Sequence, residues 1–151
     1  MSLRKSLFAP VLVALCAAVC FAQTKPAKPN APAVGAAVKS SPAYAEVLLR
    51  KTELLSEVES LLIDYTEEFR KVKEMRFEAG LLQKELDRLS AAGDASKLSA
   101  ALGRLMVRKC EVAAELWTLQ QQFNDQHPDV KRARRKAEIF EAAVNEILQG
   151  K

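Results

Sequence analysis

The chain holds one histidine, one tryptophan, five glycines, three cysteines and only 6% aromatic residues in 151 positions. So few glycines and aromatics, with no regularly spaced turn clusters, argue against a β-sandwich or barrel and leave an all-α fold as the expectation. A lone His127 and a lone cysteine outside the N-terminal segment, Cys110, stand on different parts of the sequence pattern. No phosphate-binding loop or nucleophile elbow accompanies them, so the expectation is a non-enzyme with no catalytic residue and no cofactor. Metal binding needs convergent ligands, and the glutamates are scattered, so no metal site is expected either. What is present is helix-forming material: 49% hydrophobic and 28% charged residues, ample for a packed core.

The N-terminus reads as a secretory signal. Arg4 and Lys5 precede an uncharged apolar run from Leu7 to Ala22, short for a membrane span and closed by small residues. Cleavage after Ala22 makes Gln23 the mature start; an uncleaved anchor is the alternative, opposed by Pro10 and the short span. Leu15 and Val19 are too large to precede lipidated cysteines at Cys16 and Cys20. Removing residues 1–22 leaves 21 Lys plus Arg against 19 Asp plus Glu, so the net charge falls from +4 to +2. It also leaves Cys110 alone, which excludes an intrachain disulfide framework in a periplasmic or secreted protein. A small helix residue, partly buried, is the expected role of Cys110.

Residues 23–42 form a Pro/Ala/Lys-rich linker, with Pro26, Pro29, Pro32 and Pro42 and little to bury. A helical coiled-coil domain is expected over residues 43–149. Its first seam, spaced alternately by three and four, runs through Tyr44, Val47, Lys51, Leu54, Val58, Leu61, Tyr65, Glu68, Val72, Met75, Ala79, Leu82, Leu86 and Leu89. Read as one helix over 43–90, it is followed by a turn at 91–96, where Gly93 suits a C-terminal cap and Asp94 or Ser96 an N-cap. A second seam starts at Leu98 and passes through Leu102, Leu105, Lys109, Val112, Leu116 and Leu119 to Phe140, Val144 and Ile147, giving helices over 97–124 and 128–148. Matched lengths predict a long antiparallel hairpin of rods roughly 70 Å long. In the register that pairs Leu89 with Leu98, Lys51 meets Ala137 and Lys109 meets Ala79. At Pro128 two geometries fit: the second helix kinks and continues, or the chain reverses and a third helix packs back. His127 is then a helix-boundary residue.

A shift of 58 residues aligns 43–83 with 101–141 and matches ten of 41 positions, among them Arg50, Lys51, Glu53, Val72, Lys73 and Arg76. This points to an internal duplication.

Two surfaces stand out as candidate contacts. Leu48, Leu55, Leu62 and Phe69 form an apolar row beside the first seam that a narrow coil leaves uncovered, with self-association as the simplest cover. Lys131, Arg132, Arg134, Arg135 and Lys136 form the one strongly one-signed segment, suited to an anionic polymer or lipid, or else a solvated face balanced by Glu138 and Glu141. Nucleic acid is disfavoured by the export signal and by the lack of interleaved aromatics. No membrane span is expected after signal cleavage.

The stretch from Leu116 through Phe123 and His127-Pro128-Asp129-Val130 to Lys131 resembles the signature of the periplasmic coiled coil in polysaccharide chain-length determinant (co-polymerase) proteins. Tyr65 to Phe69, followed by Val72-Lys73, resembles a second copy without the His-Pro pair. The resemblance covers about 35 residues and implies an envelope-located bacterial coiled coil. That family's two membrane-spanning helices, mixed α/β base and, in some members, tyrosine kinase do not fit into this chain, so polymer-length control does not carry over. The expected function is protein–protein interaction in the bacterial envelope, linked to polysaccharide export, with a periplasmic holdase-type chaperone as the alternative.

Overall fold

The computed structural model describes residues 31–92 and 94–149, and every regular element among them is helical. The expected signal segment with Cys16 and Cys20, residues 23–30 of the expected linker, and Gly93 lie outside the described residues. The order is α1 (Ala31–Lys39), α2 (Pro42–Leu61), α3 (Arg70–Ala91), a one-turn 3-10 helix (Ala95–Lys97), α4 (Ala100–Gln120) and α5 (Pro128–Gln149).

The all-α expectation holds, with two corrections to its layout. Residues 31–39, expected as linker, are helical, because Pro32 falls in the first turn, where a missing amide costs nothing. Val38 of α1 is fully buried against the rest. The single helix expected over 43–90 is instead two helices that reverse at residues 62–69 and pack against each other. The seam did not reveal the reversal because Tyr65 and Glu68 keep heptad spacing across it. Helices α2 to α5 are 20–22 residues long, roughly 30 Å, so no 70 Å rod forms.

The second half does the same. α4 ends at Gln120, residues 121–127 turn, and Pro128 opens α5, which packs back on α4. Of the two geometries at Pro128, the reversal is the one found. His127 sits at the boundary as expected: its Nδ1 accepts from the Asp129 amide at 3.2 Å and closes the first turn of α5. Ser99 caps α4 by accepting from the Leu102 amide, while Asp94 caps only the 3-10 turn through Ser96.

The two hairpins are copies 58 residues apart. Arg70 to Ala91 becomes Pro128 to Gln149, and Pro42 becomes Ala100, so the helix starts repeat in step. Ser41 caps α2 through the Tyr44 amide at 3.3 Å, as Ser99 does through Leu102 at 3.3 Å. In the turns, Tyr65 stacks on Phe69 with ring centroids 4.3 Å apart, and Phe123 stacks on His127 at 4.1 Å. The Tyr65 amide donates to Leu61 O at 2.9 Å, and the Phe123 amide to Leu119 O at 2.9 Å. Arg76 clasps Glu67 at 3.0 Å; Arg134 clasps Asp125 at 2.5 Å. The duplicated element is therefore a helix–turn–helix unit rather than one long helix.

α2 and α4 start side by side, since the Ala43 amide donates to Leu98 O at 3.2 Å and Gly103 lies against Ala43 and Glu46. They run parallel and bring both turns to one end of the molecule. α4 packs against α2 and α3 on one side and against α5 on the other. Being central, it buries two faces: Leu102, Met106, Cys110 and Ala114 on one, Val112 on the other. The main core joins these to Val47, Leu54 and Val58 of α2 and to Val72, Met75, Leu82, Leu86 and Leu89 of α3. α3 and α4 are antiparallel, but Lys109 meets Glu85 and Trp117 meets Phe77, one heptad away from the expected register. The alanine partners expected for the seam lysines are thus replaced by polar ones, Gln83 for Lys51 and Glu85 for Lys109.

Candidate interaction surfaces

The outer face of α2 exposes a group of leucines. Leu48 is 43% exposed, Leu49 57% and Leu55 42%, with Ala45 and Thr52 exposed among them. Heptad spacing sets Leu48 and Leu55 on this side while Val47, Leu54 and Val58 face the core. The expected row does not run on unbroken. Leu62, past the end of α2, turns partly into the core, and Phe69 stands at the start of α3 stacked on Tyr65. The reversal at 62–69 therefore leaves Leu48 and Leu55 with a new neighbour, Leu49, instead of a four-member stripe.

The basic segment occupies the first turns of α5 and is mostly paired. Arg132 reaches Asp129 at 2.9 Å, Arg134 reaches Asp125, Arg135 reaches Glu138 at 3.0 Å and Lys136 reaches Glu115 at 3.3 Å. Lys131 is exposed. Arg132 and Arg135 remain the most open, with side chains 78% and 77% exposed. Glu138 balances the segment as expected, but Glu141 is drawn to another cluster. The basic segment lies on α5 and the leucines on α2, in separate hairpins, so the structure does not merge them into one surface.

Two features went unnoticed in the sequence pattern. One is the end of the molecule where both turns meet, which exposes Ile63 (82%), Tyr65 (50%), Phe69 (37%) and Phe123 (40%). The sequence sets Tyr65 to Phe69 beside the Phe123 stretch as a second copy, without placing the two at one end of the molecule. The other is an ionic cluster between α3, α4 and α5. Lys109 Nζ lies 2.5 Å from Glu85 and 2.6 Å from Glu141, and Arg88 lies 3.3 Å from Glu141 and also bonds Asn145. Burial opposes the Lys109 charge, but hydrogen bonds to Glu141 and Glu85 outweigh it and hold its pKa above the ordinary lysine value. For Glu141, burial alone would raise the pKa; the Lys109 ammonium, then Arg88, hold it below the usual carboxylate range. Glu85 is 6% exposed, and its Oε2 finds no hydrogen-bond donor, with Arg88 Nη1 3.7 Å away. This cluster ties the second hairpin to the first.

A similar tie crosses α2, α3 and α4, where Arg50 meets Glu78 at 3.1 Å and Glu111 at 3.8 Å. Burial raises the Glu78 pKa despite Arg50. Cys110 is 1% exposed and its thiol is pushed up to about 12, mainly by burial, so it packs as a small apolar residue and is poorly placed for an intermolecular disulfide. Open grooves flank α4. One of about 490 Å³, between α4 and α5, is lined by Ala113, Leu116, Ala137 and Ala142 with Lys109 and Glu141 at its rim. Among the described residues no helix is long and apolar enough to cross a membrane.

Comparison with known proteins returned no match among protein-family models, curated proteins or solved structures.

Proposed function

We propose that the protein is an exported, non-enzymatic helical protein that acts by protein–protein interaction in the bacterial envelope, alongside polysaccharide export. One observation carries the interaction reading. The α2 face is built at the same positions that the second unit uses as an internal interface: Leu48 stands where Met106 stands, and Leu49 where Val107 packs against the core. Met106 is fully buried, whereas Leu48 is 43% exposed. A surface with interface composition and no cover among the described residues fits a docking role. The envelope placement is supported by the N-terminal signal pattern, and the link to polysaccharide export by the Leu116 to Lys131 resemblance, which spans the α4–α5 turn.

The second reading, a periplasmic holdase, draws support from the accessible leucines of α2 and the exposed Ile63, Tyr65, Phe69 and Phe123 at the turn end, since a client-binding protein keeps such surface open when free. Mild cross-linking of the native envelope fraction, capture of the protein and mass spectrometry of what accompanies it separates the two. A few stoichiometric envelope or export proteins support the interaction reading. A broad set of unfolded exported proteins moves the conclusion to the holdase. Capture that Leu48→Asp leaves unchanged contradicts a docking role for this face.

A further inference from the structure

The outer face of α2 has a counterpart 58 residues later, and that counterpart is occupied. On α4 the equivalent positions seat against the first hairpin: Met106, Cys110 and Ala114 are 0%, 1% and 2% exposed, where α2 carries the exposed Leu48, Thr52 and Ser56. Resting on the interaction reading above, we propose that this α2 face docks on the α4–α5 hairpin of a second copy of the chain, extending from molecule to molecule the contact the two units make within one.

Charge complementarity across the extended contact points to a second copy. Within the chain, Arg50 of the first hairpin reaches Glu111 of the second at 3.8 Å, and Phe77 of the first stacks on Trp117 of the second at 4.7 Å. Moved on by one unit, the receiving residues become Arg108 and Arg135, and the arriving ones become Glu53 and Glu59. Both transposed pairs are opposite in sign, and the stacked aromatic pair becomes an ion pair. Lys136, in place of Glu78, adds another cation beside Arg108. These side chains are free to rearrange: Arg108 is 52% exposed, Arg135 77% and Glu53 56%, and Glu59 is exposed.

The receiving side also keeps an apolar floor. Phe140 is half-buried and Ile147 is 42% exposed at the positions of Leu82 and Leu89, which are both fully buried in the first unit. One position departs from the template. A Cβ at Gly103 would come within 2.8 Å of Ala43 O, and the corresponding residue on the open face is Ala45, so the contact between molecules is wider at that end. The two surfaces differ from each other, so the association is head to tail and propagates unless it closes into a ring.

Sedimentation velocity of the purified full chain over a concentration series at low salt tests this. The wild type is expected to associate with rising concentration. Glu59→Arg and Arg135→Glu, both at exposed positions and checked for unchanged helicity by circular dichroism, are each expected to weaken association by about tenfold. An equimolar mixture of the two variants is expected to recover it, because each then offers the other an opposite charge. A wild type that stays monomeric throughout overturns the proposal. So does association that ignores Arg135→Glu, as a symmetric α2-to-α2 dimer would, or a mixture that fails to recover. If the purified chain is monomeric while the captured envelope complex contains a different protein lost with Leu48→Asp, the interaction reading stands and this inference falls.

Discussion

In the first hairpin Leu48 is 43% exposed and Thr52 is exposed; in the second, the residues at the same places, Met106 and Cys110, are 0% and 1% exposed. The two units share caps, turn hydrogen bonds and aromatic stacks, so the backbone plan is common to both. What differs is position in the stack. α4 has the first hairpin on one side and α5 on the other and buries two faces; α2 packs against α3 and α4 and leaves its outer face open. Equivalent residues therefore carry different energetic weight, and substitutions at paired positions measure it.

The largest contrast is expected at the paired apolar positions. Met106→Ala should cost about 3 kcal/mol of unfolding free energy through the cavity it leaves, while Leu48→Ala in dilute protein should cost less than about 0.5 kcal/mol. Urea unfolding of the two variants reads the difference; equal losses would mean that the α4 face is not the buried one.

The paired lysines come next. Lys109→Met strands the Glu85 carboxylate, 6% exposed, and should cost about 3 kcal/mol. Lys51→Met removes only a bond to Gln83 at an exposed site and should cost under about 1 kcal/mol. Adding Glu85→Gln to Lys109→Met should recover most of the loss, and a double-mutant cycle measures how much.

Backbone approach supplies a third contrast. Gly103→Ala places a methyl against Ala43 O and Glu46 Cβ and should destabilise by about 2 kcal/mol as α2 and α4 part. At the open counterpart, Ala45→Gly should cost only the helix propensity, about 1 kcal/mol.

The smallest effect is a pH dependence. The folded pKa of Glu141 lies below its unfolded value, so its pairing adds stability above the ordinary carboxylate range and loses it as pH falls through the lowered folded value. Its side chain is 44% exposed, which limits the contribution to under about 1 kcal/mol. Lys109, with a raised folded pKa, behaves oppositely: its contribution is complete below the ordinary lysine range and fades as pH rises through the folded value. Glu141→Gln should therefore differ from wild type at pH 7 and converge with it in acid, as followed by thermal melts at several pH values.

Much of the core was readable. The first seam named Val47, Leu54, Val58, Val72, Met75, Ala79, Leu82, Leu86 and Leu89, all buried, because each helix is amphipathic whether or not the chain continues between them. The reversal at 62–69 was not readable from that pattern. In the second unit Pro128 marks the restart, but in the first Arg70 holds that place, and no glycine or proline interrupts residues 62–69. The signal lay in the duplication: a turn required by Pro128 in one copy implies the same turn in the other. Met106 and Ala114 were missed, and Cys110 was expected only partly buried, because they lie off the second seam, on the face that only a central helix buries. Of the candidate surface, Leu48 and Leu55 were placed as expected; Leu62 and Phe69 were displaced by the unforeseen turn.

Residues 62–69 reverse the chain, as residues 121–127 do, and Arg70→Pro is the sharpest probe of that reversal. Arg70 is the first residue of α3, where its amide needs no helical partner, and Phe69 before it is extended at φ −61°, ψ 127°, a conformation proline favours. With the chain reversed there, the thermal midpoint should be unchanged or raised slightly, a gain of up to about 1 kcal/mol, as befits the position that Pro128 already occupies in the second unit. A loss of about 3 kcal/mol or more, the cost of proline inside a continuous helix, would contradict it.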